Sequence, residues 1–456
     1  MHKPALITLA LLLAGCARYQ PQPLAPRQML ADYEARSLDS PALQRYFSAH
    51  GQANVRTWDL NRLTLAAFYY SPELNAARAQ LASALAAVKT ASQRPNPTLS
   101  LPFQYQASAP KPWTYGLSLD IPIETAGKRG YRVAQTEQLS AAARLNLGLT
   151  AWQLRSHLRG SLLDLYAAER RTALLQQQTD SQQAIVALLE RRVALGAASN
   201  SDVNQERITL AREHSDLAAS EQQQRAAHAQ IATLIGVPVA ALEGVKLDLR
   251  AFERPTPALP AHDVRRQAIL NRADLQIALA EYEASQSALQ LEVARQYPNL
   301  SLGLGYSFDQ GANKYSVSPG GLTLPLFNHN EGPIAEAEAK RKEAAVHVET
   351  LQDQALNETD SALQRYQAAV QARTLADTLL VRQTAAFTST QHAVAQGAAD
   401  RLALLQAQRT VGTDALAQLD ATIQVQQTIG QLENAMQRPL DGAVLPVPST
   451  EETHKS

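Results

Sequence analysis

Residues 98–123 read TLSLPFQYQASAPKPWTYGLSLDIPI, and residues 299–326 read NLSLGLGYSFDQGANKYSVSPGGLTLPL. Both stretches alternate apolar and small polar residues, the period of an extended strand. In the first, Leu99, Leu101, Phe103 and Tyr105 point to one side, and Thr98, Ser100 and Gln104 to the other. Beyond a loop at 107–112, Trp113, Tyr115, Leu117, Leu119, Ile121 and Ile123 carry the pattern on. In the second, Leu300, Leu302, Leu304, Tyr306 and Phe308 alternate with Ser and Gly, and a loop is expected at 309–314. Tyr315 and Val317 follow; parity then slips at Gly320-Gly321 before Leu322, Leu324 and Leu326, which predicts a bulge. Each strand runs about 9–11 residues, long enough to cross a bilayer when tilted. Aromatic residues gather beside the loops (Phe103, Tyr105, Trp113, Tyr115, Tyr306, Phe308, Tyr315), as in the girdle of an outer-membrane barrel. The alternative is a pair of amphipathic hairpins packed on a soluble body, which gives no reason for matched lengths with aromatics at one end. Four strands cannot close a membrane barrel, because about eight is the minimum. Open edges are not tolerated in lipid either. If the hairpins span, several chains share one barrel, in a number this reasoning leaves open.

The two stretches belong to a larger repeat. Glu73-Leu74 opens a helical pattern leading to Pro95-Asn96-Pro97, and Asp274-Leu275 opens another leading to Pro298-Asn299. Leu119-Asp120-Ile121-Pro122-Ile123 matches Leu322-Thr323-Leu324-Pro325-Leu326, and Gly196-Ala197-Ala198 matches Gly397-Ala398-Ala399. The matches keep their order and nearly constant separation, the mark of a duplicated unit. Each unit reads helix, strand, loop, strand, very long helix, glycine turn, long helix. The boundaries expected are a signal at 1–15, a tether at 16–57, a first repeat at 58–252, a Pro-rich linker at 253–260, a second repeat at 261–438 and a tail at 439–456.

No proline interrupts residues 132–195 or 334–396. At 1.5 Å per residue such helices reach roughly 90–100 Å. Gly196 and Gly397 suit left-handed C-caps, after which Ser199 or Asp202, and Asp400, can cap the returning helices. Stripes such as Leu416, Leu419 and Ile423 fit coiled-coil pairing.

The N-terminus carries His2 and Lys3, an apolar run from Ala5 to Leu13, and then Leu13-Ala14-Gly15-Cys16. This is a secretory signal too short to span. Its ending resembles a bacterial lipobox, which implies cleavage after Gly15 and lipid attachment at Cys16; the alternative is an ordinary signal with an incidental cysteine. Several acyl chains on one residue give stable anchoring. Residues 17–57, with Pro21, Pro23 and Pro26, read as an extended tether lying along the body. The 42 basic and 42 acidic residues cancel, which argues against a nucleic-acid partner.

With these features in hand, the chain resembles the TolC-like outer-membrane factors of tripartite efflux pumps over almost its whole mature length. Ile121-Pro122-Ile123-Glu124-Thr125-Ala126-Gly127-Lys128-Arg129-Gly130 is similar to the segment leaving the first hairpin in the CzcC-like, heavy-metal branch. Leu324-Pro325-Leu326-Phe327-Asn328-His329-Asn330-Glu331-Gly332 is similar to its counterpart in the second. The resemblance implies a mainly α fold with a small membrane β-barrel portion. It implies a homotrimer whose shared twelve-stranded barrel takes four strands per chain and continues as a long α-helical coiled-coil barrel in the periplasm. It also implies a periplasmic adaptor (membrane fusion protein), an inner-membrane RND pump and outer-membrane lipid as partners. Gly127, Lys128 and Arg129 form the barrel-exit motif. Gly196, Ser199, Asp202, Gly397, Asp400 and Arg401 are the candidates for the adaptor-contacting tips and aperture. Acidic residues that narrow the aperture in some members have Ala403 and Gln406 in their place here. The function expected is a passive exit duct for heavy-metal cations. The alternatives are a drug-efflux or type I secretion outlet and, in another class, a lipid-anchored periplasmic coiled-coil scaffold without a pore.

Motifs of catalysis are missing. Pro122 and Arg129 stand where a phosphate-binding loop around Gly127-Lys128 needs Gly and Ser or Thr. No Gly-x-Ser-x-Gly or His-Glu-x-x-His occurs, no two histidines have helical metal spacing, and the three methionines are scattered. No enzyme activity, cofactor or metal site is expected, and His329 between Asn328 and Asn330 reads as a polar loop.

Overall fold

The computed structural model describes residues 19–51, 57–108, 110–254, 261–309, 311–319 and 324–440. Cys16, most of the linker, the bulge expected at Gly320-Gly321 and most of the C-terminal tail lie outside the described residues.

Prolines start helices here rather than preventing them. Pro26 and Pro41 occupy the first turns of α1 (Pro26–Glu34) and α2 (Pro41–Ala49), where a missing N–H costs nothing. Ser40 caps α2 by accepting from Leu43 N at 3.3 Å. The expected extended tether is therefore wrong for this stretch. Leu43 and Phe47 are buried in the largest apolar cluster, against Leu63 and Phe68 of α3 (Leu60–Tyr70). Arg62 lies over the Phe47 and Trp58 rings at 4.5 and 4.8 Å, so the segment is clamped to the body.

The duplication is visible element by element. The first unit has α3 (11 residues), α4 (Pro72–Ser92, 21), α5 (Lys128–Ala194, 67) and α6 (Asn200–Ile235, 36). The second has α7 (Ala261–Asn271, 11), α8 (Ala273–Ala294, 22), α9 (Glu331–Ala395, 65) and α10 (Arg401–Met436, 36). Both long helices start earlier than proline spacing suggests, because Lys128 follows a left-handed Gly127 and Pro333 fits within the first turn. The 67 residues of α5 extend about 100 Å. α5 packs against α6 and α10, and α10 packs in turn against α9.

Between the helices stand β1 (Thr98–Ser100), β2 (Phe103–Tyr105), β3 (Trp113–Ile123), β4 (Leu300–Asp309) and β5 (Ala312–Pro319). β1 and β2 are halves of one strand, both antiparallel to β3; Pro102 has no N–H to continue the ladder between them. β3 pairs β4, and β4 pairs β5. The second hairpin is tighter than expected. Its pairing runs to Asp309↔Ala312, inside the loop expected at 309–314, and Gly311 stands at φ +96°.

Register sorts the sheet into two unlike faces. Pairs such as Leu99↔Leu119, Tyr115↔Phe308, Leu119↔Leu304 and Leu304↔Val317 put every large apolar side chain on one side. Most of these side chains are exposed, including Leu117, Leu300, Tyr315 and Val317. Near the loops Tyr115 stacks on Phe308 at 5.0 Å and Trp113 meets Tyr105 at 4.7 Å. Opposite lie Ser100, Ser118, Asp120, Gly303, Gly305 and Ser316.

Where α5 crosses α10 the interior is charged. Arg155 and Arg159 reach Glu433 at 3.4 and 3.3 Å, and Arg159 also donates to Gln426 O and Oε1, both at 3.0 Å. Removing one partner of such a site leaves uncompensated buried charge, at about 3–5 kcal/mol. Glu433→Ala is therefore expected to lower the melting temperature clearly, while Glu336→Ala on the exposed face of α9 leaves it near wild type. Thermal melts of both variants check this.

Candidate functional site

Three regions are candidates: Cys16, the barrel exit and the helical tips. Cys16 lies outside the described residues.

At the barrel exit, the motif residues close helix ends. The last carbonyls of a helix have no partner within it and sit at the negative end of its dipole. Arg129 Nε donates to Ser92 O at 2.6 Å, and Arg132 Nε to Ala91 O at 2.9 Å, so both cations cap α4. Arg132 also grips Glu124 at 2.7 Å, a contact that holds the Glu124 carboxyl below its usual range. Lys128 reaches the other unit: its Nζ donates to Tyr297 O at 2.5 Å and Asn299 Oδ1 at 2.6 Å, just past the end of α8. Gly127 turns the chain into α5 at φ +74°. Its counterpart Asn330 does the same for α9 at φ +64°, and its side-chain amide donates to Glu292 O at 2.7 Å. His329 is exposed beside it. No group of His, Cys, Asp and Glu suited to a metal occurs among the described residues.

The tips are built alike. Gly196 stands at φ +72° and Gly397 at φ +74°. Past each, a backbone N–H reaches back to the helix, Ala197 N to Arg192 O at 2.7 Å and Ala398 N to Ala393 O at 2.8 Å. These bonds satisfy the orphan carbonyls at each helix end. Ser199 and Asp202 then form a reciprocal capping box on α6, both bonds 3.2 Å long. Asp400 caps α10 by accepting from Ala403 N at 2.8 Å. Asp202 and Asp400 are thus both occupied as helix caps, whatever else they do. Arg401 is exposed next to the second cap.

What the sequence does not reveal is that the fold brings the two tips together. Arg192 donates to Asp400 Oδ2 at 2.7 Å, across 208 positions of chain. That hydrogen bond holds the Asp400 carboxyl below the usual carboxylate range. Beneath it Ile185, Leu189, Val203 and Leu405 pack as one apolar cluster from both units. The only local hint is the basic pair Arg191-Arg192 in the last turn of α5, which a helix C-terminus explains without any partner.

No helix of the described residues is long and apolar enough to cross a membrane. The exposed apolar face of the sheet, with long helices extending from one end, is the arrangement of an outer-membrane duct. Comparison with known proteins agrees. A family model described as "Outer membrane efflux protein" matches residues 67–237 and 264–437, one match on each repeat. The cobalt-zinc-cadmium resistance protein CzcC of Cupriavidus metallidurans is 26% identical over 265 residues, which cover 58% of this chain and 62% of that protein. The chain thus spans less than two thirds of that relative. The pyoverdine export outer membrane protein OpmQ of Pseudomonas aeruginosa is 26% identical over 94% of this chain and 97% of its own. The solved structure of the outer membrane protein VceC from Vibrio cholerae shares the fold, with a TM-score of 0.70 at 19% identity, over 88% of this chain and all of that one. With both of its repeats matched, the chain belongs to the outer membrane efflux protein family.

Proposed function

We propose that three copies of this chain form one outer-membrane duct, the passive exit of a tripartite efflux system whose substrate is a heavy-metal cation. The observation that carries the duct is the four-stranded sheet with an exposed apolar face, a small polar face and two unpaired edges. Three such sheets supply twelve strands, enough to close a barrel with the Ser- and Gly-rich face inward. A scaffold without a pore has no use for that apolar face. The helices support the same assembly. From Val370 to Ala395, α9 buries no residue, and Leu375, Leu379 and Val381 lie exposed on it. A helix with so little cover gains its stability from neighbours.

The chain is read as a passive duct, so energy for transport comes from elsewhere. In this reading an RND pump in the inner membrane supplies it through a periplasmic adaptor that meets the tips at Gly196–Asp202 and Gly397–Arg401. The domain boundaries keep the form given above, with 1–15 removed and Cys16 lipidated. The metal substrate rests on the barrel-exit motifs and on the similarity to CzcC. A second reading, an outlet for organic molecules, is favoured by the match to OpmQ, which runs nearly end to end.

Susceptibility of a deletion strain decides between these readings. Sensitivity to divalent or monovalent metal ions alone, restored by the gene, is expected; sensitivity to lipophilic drugs with unchanged metal tolerance sinks the metal substrate. Cys16→Ser is expected to abolish incorporation of labelled palmitate, and a labelled variant would disprove the anchor. At the tip, a Cβ added to Gly397 meets no atom within 4 Å, so the penalty of Gly397→Val is purely conformational, about 1–3 kcal/mol. Export by Gly397→Val should fall while Gly397→Asn, which tolerates φ > 0, retains most of it. Normal export by the valine variant removes the support for the tip as contact surface.

A further inference from the structure

Where the sheet meets the first turn of α5 there is a cavity of about 630 Å³ whose wall includes Glu124 beside Lys128, Arg132 and Arg295, with Leu324, Leu326 and Phe327 at its rim. Its cations differ in one respect. Arg132 is matched by Glu124 at 2.7 Å, and Arg295 by Glu292 at 2.5 Å. Lys128 is only 8% exposed, and both acceptors of its Nζ, Tyr297 O and Asn299 Oδ1, are neutral. An ammonium has three protons, so one remains to donate. Lys128 is therefore a buried cation, and the carboxylate whose charge acts on it, Glu124, is paired with Arg132. Burial lowers its pKa, with the charge of Glu124 a smaller opposing influence. Glu124 is shared with Arg132 and offsets the burial of Lys128 only in part, and an anion in the cavity relieves the remainder.

The rim indicates what kind of anion. Leu324, Leu326 and Phe327 are exposed, Phe327 completely. They lie at the end of the sheet where Ile123 pairs Leu300, two more exposed apolar residues. Exposed apolar residues thus stand both at this end of the sheet and at the mouth of a cavity whose cations outnumber its carboxylates. That juxtaposition matches a molecule with a phosphate at one end and hydrocarbon at the other.

We propose that this cavity is a phospholipid site, which takes the phosphate of a lipid from the periplasmic leaflet at Lys128 while its acyl chains lie over Leu324, Leu326 and Phe327. The site rests on the reading that the sheet spans the outer membrane. Free phosphate shares the head-group chemistry; the apolar rim commits the site to the lipid.

Full-length protein purified in detergent tests this by native mass spectrometry with three probes: dioleoylphosphatidylglycerol, dioleoylglycerol with the same chains and no phosphate, and inorganic phosphate. Wild type is expected to retain only the first. Lys128→Gln should weaken that retention about tenfold, the loss of one charge-assisted contact. Phe327→Ser, at a fully exposed position, should weaken lipid retention without creating affinity for inorganic phosphate. Retention of the phospholipid by Lys128→Gln at wild-type strength, in protein that melts normally, overturns the site. If that variant does not fold, the wild type decides alone: equal retention of dioleoylglycerol, or equal binding of inorganic phosphate, overturns it too. Planar-bilayer conductance of the same wild-type sample separates the two readings. A conducting channel without lipid retention sinks only the lipid site, whereas protein that neither conducts nor enters a bilayer sinks the duct itself.

Discussion

A backbone N–H or C=O left unpaired in hydrocarbon costs several kcal/mol, and this sheet ends in two rows of them. One row is the outer edge of β1 and β2, the other the outer edge of β5. Most of the remaining architecture answers to that. In the proposed duct copies of the chain complete each other's edges, so the helices at the foot of each sheet also stand side by side in a ring. Closing a barrel from few strands makes the inner face crowded, and that face carries the smallest side chains. A Cβ on Gly116 would sit 2.8 Å from Tyr306 O, and one on Gly303 2.9 Å from Ser318 Oγ. Larger residues there would push the ladder apart or fill the passage.

The same constraint makes the junction with the helices demanding. Two helices end and two begin beneath each chain's sheet, and every one leaves backbone groups without internal partners. The two repeats solve this with different chemistry. In the first, Arg129 and Arg132 cover the carbonyls of α4, and Lys128 crosses to the end of α8. In the second, Asn330 both adopts the left-handed turn and caps α8 through its amide. Lys128 reaching into the second unit makes the first motif more than a local cap: it ties the two repeats where the sheet meets the helices.

Much of this is legible in the amino-acid sequence. Alternation at 98–123 and 299–319 determines which residues share a face, because a strand has a period of two and one slip would invert it. Glycine at 196 and 397 announces the turns, since few other residues accept φ near +70°. Two departures have definite physical causes. Pro26 and Pro41 resemble marks of extended chain, yet proline at a first helical position is favourable, and Leu43 and Phe47 have core to pack against. The loop expected at 309–314 is too long because Asn313 and Lys314 resemble turn residues, whereas they sit in β5 with Tyr306 Oη donating to Asn313 Oδ1 at 2.9 Å. The meeting of Arg192 with Asp400 is beyond the reach of sequence reasoning, as is the burial of Lys128. Both depend on contacts between units that no local pattern encodes.

Magnitudes at the tip show which of its contacts holds it together. An exposed ion pair such as Arg192–Asp400 contributes about 0.2–1 kcal/mol. Burying aliphatic side chains like Ile185, Leu189, Val203 and Leu405 contributes about 1.5–3 kcal/mol each. The apolar cluster therefore joins the two repeats, and the ion pair sets how the two turns align above it. Its pH dependence follows from the sign of the shift. The Asp400 carboxyl is held below its usual range, so the pair contributes fully above the ordinary carboxylate range and is lost only as pH falls through the lowered value. Near neutrality Asp400 stays charged. Protonation of Asp400 therefore does not loosen the tip at such pH, and the alignment of the two turns stays fixed across the neutral range.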